Sequence, residues 1–291
     1  MVKTSIGEKI FNSINIIVLF TLGLLTLLPF LHVLAKSLSS QVAISLGKVT
    51  FLPVNFQLGT YRYVLEQDQF IHSLRNSVII TVAGTLLALI VTVMVAYPLS
   101  KPKLKGRRLF LLGFIFIMLF NGGMVPNYLL FKTFGLINNL WALIIPGLIS
   151  VFNILLVKTF FEELPESVEE SARIDGANNF TILFRIVLPM ALPVLAAVGL
   201  FFAVNYWNNY FSAVLYITRA ELKPLQLYIY ELVSQTTNEL GANVDIDRLM
   251  NADPESIRSA TIILSTLPIL CLYPFLQKYF VKGITIGSVK G

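Results

Sequence analysis

The chain has 291 residues, of which 56% are hydrophobic and only 13% charged, and its mean hydropathy is +0.76. Soluble domains carry about 25% charged residues, so this composition excludes an ordinary soluble enzyme or binding module. The net charge of +6 comes without a basic run interleaved with aromatics, which argues against a nucleic-acid binder.

Apolar residues gather in six runs, about 14–35, 77–100, 109–126, 140–160, 186–207 and 260–280. Each approaches or exceeds the ~20 residues needed to cross a ~30 Å hydrocarbon core. The expectation is an all-α polytopic membrane protein with six transmembrane helices, one domain over 1–291. The first run follows a basic start and continues to about Ala35. That is too long for a signal-peptide core, so it reads as a retained span. The third run is short and closes on Asn121-Gly122-Gly123. Irregular backbone at that depth has to be buried in protein or face water.

Lys and Arg set the orientation. With the N-terminus inside, the inner segments hold thirteen of them and the longer outer segments nine. The short loop carrying Lys101, Lys103, Lys105, Arg107 and Arg108 decides the matter, and both termini are expected in the cytoplasm. Cys271 is the only cysteine, so no intrachain disulfide or Cys-based metal site is expected. His32 and His72 are far apart and read as structural.

In the first outer segment, 36–76, the residues around Pro53 and Gly59 read as a turn and a short helix. Residues 125–139 are amphipathic and too few to span, which suits a short helix at the outer interface. The fourth run contains Pro146, Gly147 and Asn153, residues that mark helix contacts or a pore-facing side more often than lipid exposure. The fifth ends in Asn205-Tyr206-Trp207-Asn208-Asn209-Tyr210-Phe211. Two readings stay open there: an interfacial aromatic belt, or sugar contact through flat aromatic faces and amides that both donate and accept.

The longest polar interruption on the inner side is Phe160 to Pro193. Pro165 cannot continue the preceding helix and suits the first turn of a new one. Glu166, Glu169 and Glu170 fall where the helix dipole favours acids, and Glu169 stands four residues before Arg173, the better order for an ion pair. Leu164, Val168 and Ala172 share a face. Gly176 is placed for a left-handed C-terminal cap, and Asn178 and Asn179 can cap a second helix that enters the next span. The plain reading is an amphipathic connector between spans; the functional one is a helix that docks in a groove on another protein.

Within this stretch, Glu170-Ser171-Ala172, Gly176, Ile186, Leu188 and Pro189 match the spacing of the EAA motif of bacterial ABC-importer permeases. Ser171 stands where the pattern prefers Ala. The ending Gln277–Gly291 resembles that of the maltose-type permeases, and the phrases at 122–126 and 135–139 resemble carbohydrate-importer permeases. The resemblance covers essentially the whole chain.

It implies a type I ABC-importer permease fold and import of a carbohydrate, an oligosaccharide by preference. The coupling loop would be 161–185, with Glu169, Glu170, Ser171, Ala172, Asp175, Gly176, Ile186, Leu188 and Pro189 coupling to the ATPase. The tail 281–291 would enter between two ATPase subunits as an extended chain, through Gly283, Gly287 and Lys290. The partners implied are a second, related permease subunit in a heterodimer, two ATP-binding subunits and an extracytoplasmic solute-binding protein. The setting is the bacterial cytoplasmic membrane. The chain would bind no cofactor itself, ATP and Mg belonging to the ATPase subunits, which agrees with the missing phosphate-binding G-x-x-x-x-G-K-(S/T). Candidate substrate-pathway residues are Asn121, Asn153, Asn205, Tyr206, Trp207 and Asn209. Alternatives are a permease of the same fold for amino acids, polyamines or phosphate, and an intramembrane enzyme. The first would favour charged pore residues and the second convergent ionisable groups at membrane depth; the spans show almost none of either.

Overall fold

A computed structural model describes residues 6–120, 122–234 and 254–287, with side chains for 7–120, 122–234 and 254–271. Among the described residues it is helical, with turns and no strand. The chain divides into two units, 1–68 with 231–267 and 69–230 with 268–291.

In the first unit, helix α1 (Ile6–Ser37) contains the first expected span. Its residues from Gly7 to Leu27 are all exposed on this chain. A small core of Ala35, Ala43, Ile44 and Val49 joins its end to helix α2 (Gln41–Ser45), and helix α3 (Gly59–Glu66) follows. Ser39 ties the turn between α1 and α2, donating to the Ala35 carbonyl at 2.6 Å and accepting from the Val54 N–H at 3.0 Å. His32 sits 2.6 Å from the Thr50 carbonyl, a structural contact.

The second unit is built on helix α4 (Asp68–Ser100), which begins nine residues before the span expected at 77. It is long and apolar enough to cross a membrane alone, as is α1; three further spans would each be a bent pair of helices. Helix α5 (Arg107–Leu119) stops short of the expected 126 and is paired with helix α6 (Met124–Thr133). Gly123 between them has φ 90°, a conformation glycine adopts without a Cβ penalty.

The fourth span is also two pieces. Helix α7 (Trp141–Ile144) tightens into a 3-10 turn, Ile145–Gly147, before helix α8 (Val151–Glu162), with a bend of 46°. Pro146 lacks the N–H that would continue α7. Ser150 restarts the chain, its hydroxyl accepting from the Asn153 N–H at 3.4 Å.

Helix α9 (Glu166–Ile174) is the short helix expected after Pro165. Helix α10 (Asn179–Ile182), a π turn at Leu183–Val187 and helix α11 (Leu188–Met190) lead to helix α12 (Leu192–Asn208). The segment Asn179–Met190 meets α12 at 81°, so the second helix of the coupling stretch does not run straight into the fifth span. Pro189 offers no N–H to the Arg185 carbonyl, and Pro193 offers none to that of Pro189, while each ring crowds the carbonyl four residues back. The π turn absorbs the first defect and the break at Ala191 the second. Helix α13 (Phe211–Tyr216) and helix α14 (Leu225–Ser234) follow, and helix α15 (Pro254–Gly287) takes in the sixth expected span. Its helical backbone includes Gly283 and Gly287, where an extended tail was expected.

The core of the second unit lies where α4, α7, α8, α12 and α13 meet, around Ile80, Ala88, Ile154, Val198, Phe202 and Tyr206. Polar side chains pin its connecting segments. Asn138, at φ 58°, accepts from the Thr218 and Arg219 N–H groups at 2.7 and 3.0 Å. Asn76 donates to the Glu221 carbonyl at 2.7 Å, and Ser77 accepts from the Leu225 N–H at 2.7 Å. These bonds satisfy backbone groups that no helix serves.

Candidate functional site

Two features of the second unit are candidates for function, the α9 turn and a cleft lined by asparagines. Helix α9 ends as its sequence requires. Gly176 takes φ 84°, its N–H reaches the Arg173 carbonyl at 3.0 Å, and the Ala177 N–H reaches that of Ala172 at 2.9 Å. That pair of bonds is the Schellman arrangement, which satisfies the orphan carbonyls of a helix end. Asn178 then caps α10, accepting from the Thr181 N–H at 2.8 Å. Two helices therefore leave a tight turn with their ends closed.

One face of α9 is held and the rest is presented. Ala172 is buried, and Leu164 and Ala177 pack against the core of the unit, whereas Val168 is exposed. Glu166, Glu170, Ser171, Ile174 and Asp175 are also exposed, Ile174 to 86%. Glu169 is not paired with Arg173: its carboxylate takes the Lys101 ammonium at 2.5 Å, and Arg173 reaches Asn179 at 3.5 Å instead. Lys101, Pro102 and Lys103 form one wall of a groove of about 540 Å³ whose other wall is α9. Ile186 and Leu188 are half-buried on the core, so they fix the re-entering segment, while Pro189 is exposed.

The cleft, about 460 Å³, lies where the fourth and fifth spans are broken or end. Pro146, Gly147, Ser150 and Asn153 line one side, and Phe201, Phe202 and Asn205 the other. It brings Asn153 and Asn205 together from positions 52 residues apart. No ionisable side chain lines it. Amides, a hydroxyl and flat apolar rings suit an uncharged, hydroxyl-rich ligand.

The neighbouring aromatics stand elsewhere. Tyr206 is buried, its hydroxyl donating to the Ile144 carbonyl at 2.9 Å. Its ring fills the space that side chains on Gly84 and Gly147 would occupy. Trp207 is buried as well. Asn209 accepts from the Ser212 N–H at 3.2 Å and so starts α13. Of the six pathway candidates, Asn153 and Asn205 line the cleft, while Asn121 lies outside the described residues, as does Lys290 of the tail. In the sequence Lys101 reads only as a topology charge, and Gly84 does not stand out. The signal for Gly84 is slight, a lone glycine in an apolar helix.

Nearly the whole sequence has counterparts among known proteins. Residues 109–286 match the family described as "Binding-protein-dependent transport system inner membrane component". The protein LplC of Bacillus subtilis is 43% identical over 287 residues, covering 97% of this chain and 96% of that protein. The polygalacturonan/rhamnogalacturonan transport system permease protein YtcP, also of Bacillus subtilis, is 39% identical, covering 98% and 99%. Among solved structures, a chain of a bacterial ABC transporter that imports the acidic polysaccharide alginate superposes with a TM-score of 0.90 at 35% identity, covering 96% of this chain and all of that one. With its apolar helices, its Gly-capped α9 turn and these matches along nearly its full length, the chain is a multi-pass membrane protein that belongs to the binding-protein-dependent transport family, the permease subunits of ABC transporters.

Proposed function

We propose that this chain is one permease subunit of an importer that carries an oligosaccharide into the cell by alternating access. The observation that carries the reading is the cleft. It offers Asn153, Asn205 and Ser150 among Phe152, Phe201 and Phe202, and no charge, where the fourth span of a permease fold is broken and the fifth nears its end. Amides exchange hydrogen bonds with sugar hydroxyls, and phenyl rings cover the apolar faces of the sugar rings. Relatives with nearly full-length matches are named for polygalacturonan and for arabinooligosaccharide transport, and the solved counterpart for alginate import. This chain supplies no countercharge in the cleft for an acidic sugar.

The chain has no nucleotide-binding loop of its own, so the energy has to come from partner ATPase subunits, which would hold ATP and Mg. Helix α9 is the contact to them: Glu166, Glu170 and Ile174 are exposed, and Gly176 holds the turn close. The tail beyond α15 would join that contact through Lys290. With the basic loop Lys101–Arg108 on the cytoplasmic side, α9 lies there too and the segment 212–259 lies outside, where an extracytoplasmic binding protein delivers ligand. Six spans in this chain and a second, related permease complete the pathway. Closure of the ATPase dimer on ATP would then favour the outward-open state through its differential hold on α9.

The test is to purify the assembled complex with its binding protein and identify the co-purifying ligand by mass spectrometry. An oligosaccharide is expected; an amino acid, a polyamine or phosphate in its place would overturn the reading.

A further inference from the structure

Helix α9 is attached to the rest of its unit through little apolar surface. Ala172 is its buried residue, and a single methyl group resists sliding weakly. The second attachment is ionic and comes from outside the motif. The Lys101 ammonium lies 2.5 Å from the Glu169 carboxylate and 4.7 Å above the centre of the Tyr97 ring. A cation held between a carboxylate and an aromatic face is fixed in two directions at once. Tyr97 belongs to the last turn of α4, and its ring meets Phe161 of α8 edge-on at 6.2 Å. The Lys101 N–H still bonds the Pro98 carbonyl at 3.1 Å, so Lys101 rides on the end of α4.

The choice among charges is selective. Of the three acids Glu166, Glu169 and Glu170, Glu169 is engaged within the chain, and the other two form no ion pair among the described residues. Of the loop cations, Arg107 is taken by Glu162 of α8, and Lys103, Lys105 and Arg108 form no ion pair among the described residues. The pair Lys101–Glu169 is also the better sheltered one, the side chains being 28% and 13% exposed. It bridges 68 positions of sequence.

We propose that Lys101 is a positioning residue for energy coupling: clamped between Tyr97 and Glu169, it makes α9 and the inner end of α4 move as one body. Helix α4 also carries Gly84, which is pressed against the Tyr206 ring, and that ring is pressed in turn against Gly147 of the cleft wall. A push on α9 therefore reaches the cleft through one unbroken helix and two backbone contacts. The inference rests on the reading of α9 as the docking helix, and it adds the residue that connects that helix to the transport path.

The experiment uses the assembled complex in nanodiscs, with ATP and the binding protein carrying its own ligand. The readout is the ratio of stimulated to basal ATP hydrolysis. Lys101→Met should lower that ratio about fivefold or more, the low end of allosteric couplings. Lys101→Arg should preserve it. Lys101→Glu and Glu169→Lys should each be poor, and the two combined should recover more than half of the lost ratio, an effect that general damage to the fold does not produce. An unchanged ratio in Lys101→Met, or a combined variant no better than the worse single one, would overturn the clamp. A second measurement guards against failed assembly of Lys101→Met. With spin labels at Ser167 and Met94, the distance distribution should be narrow in the otherwise native complex and broad in Lys101→Gln; equal widths would also overturn it. If the native complex, reconstituted separately in sealed proteoliposomes, moves no saccharide, the transport reading fails, while the label distances still decide on the clamp.

Discussion

The phenol of Tyr206 occupies the side-chain space of Gly147: a Cβ on that glycine would come 2.7 Å from the tyrosine oxygen. The same ring stands 2.7 Å from where a Cβ on Gly84 would be, so three spans meet at one tyrosine. Gly147→Ala or Gly84→Ala should therefore force the ring aside, an overpacking cost of about 1–3 kcal/mol. The check is thermal unfolding of the purified complex. The melting temperature should drop for either variant, and Tyr206→Ala combined with Gly147→Ala should cost less than the two separate losses added together. Strict additivity would count against direct contact.

Gly176 tests backbone conformation in isolation. Its φ is 84°, yet a Cβ there would meet nothing within 4 Å on this chain. The penalty for an ordinary residue is thus conformational, about 1–2 kcal/mol, and Asn tolerates this region better than branched residues. Gly176→Asn should keep most uptake and Gly176→Val should lose most of it, with equal membrane insertion by immunoblot. Equal uptake by both would show that the turn does not depend on the left-handed residue.

The cleft asparagines should separate from their neighbour in sequence. A ligand hydroxyl buried in the cleft and left without its partner costs about 1–3 kcal/mol, or about five- to 150-fold in a binding term. Asn153→Ala and Asn205→Ala should raise the apparent KM for ligand release into the transport path within that range and leave assembly intact. Asn209→Ala removes only a cap from α13, so it should lower thermal stability with little change in KM. Normal uptake kinetics in both cleft variants would remove this chain from substrate recognition.

Orientation is open to labelling. In a Cys271→Ser background, single cysteines at Lys103 and Asn243 should react from opposite faces of the membrane. If an impermeant maleimide reaches both from outside intact cells, the proposed topology is wrong.

Local chemistry was legible in the sequence and distant pairing was not. Pro165, Gly176 and Asn178 announce a start, a stop and a restart through their own backbone preferences, and the structure shows all three. The all-helical membrane class followed from the apolar runs, and the permease fold from the resemblance carried by the spacing of Glu170, Gly176, Ile186 and Pro189. Glu169 was assigned to Arg173 because they share a helix; it is held by Lys101, which only the folded chain brings near. Tyr206 stands in a sequence that looks like an interfacial belt, and its burial depends on glycines 122 and 59 positions earlier. The break at Ala191 was within reach, since Pro189 and Pro193 together leave two carbonyls without their helical donors. A hydropathy window passes over such a defect because proline does not interrupt the apolar run.

Helices α5 and α6 bury no residue on this chain, and neither does most of α1. If the second permease proposed above covers those sides, a copy of this chain made without it would leave them to lipid alone, with no cognate helix to fix their angle. Such an orphan should be a substrate for membrane proteases, and its abundance in the cell should follow the supply of the second permease rather than its own rate of synthesis.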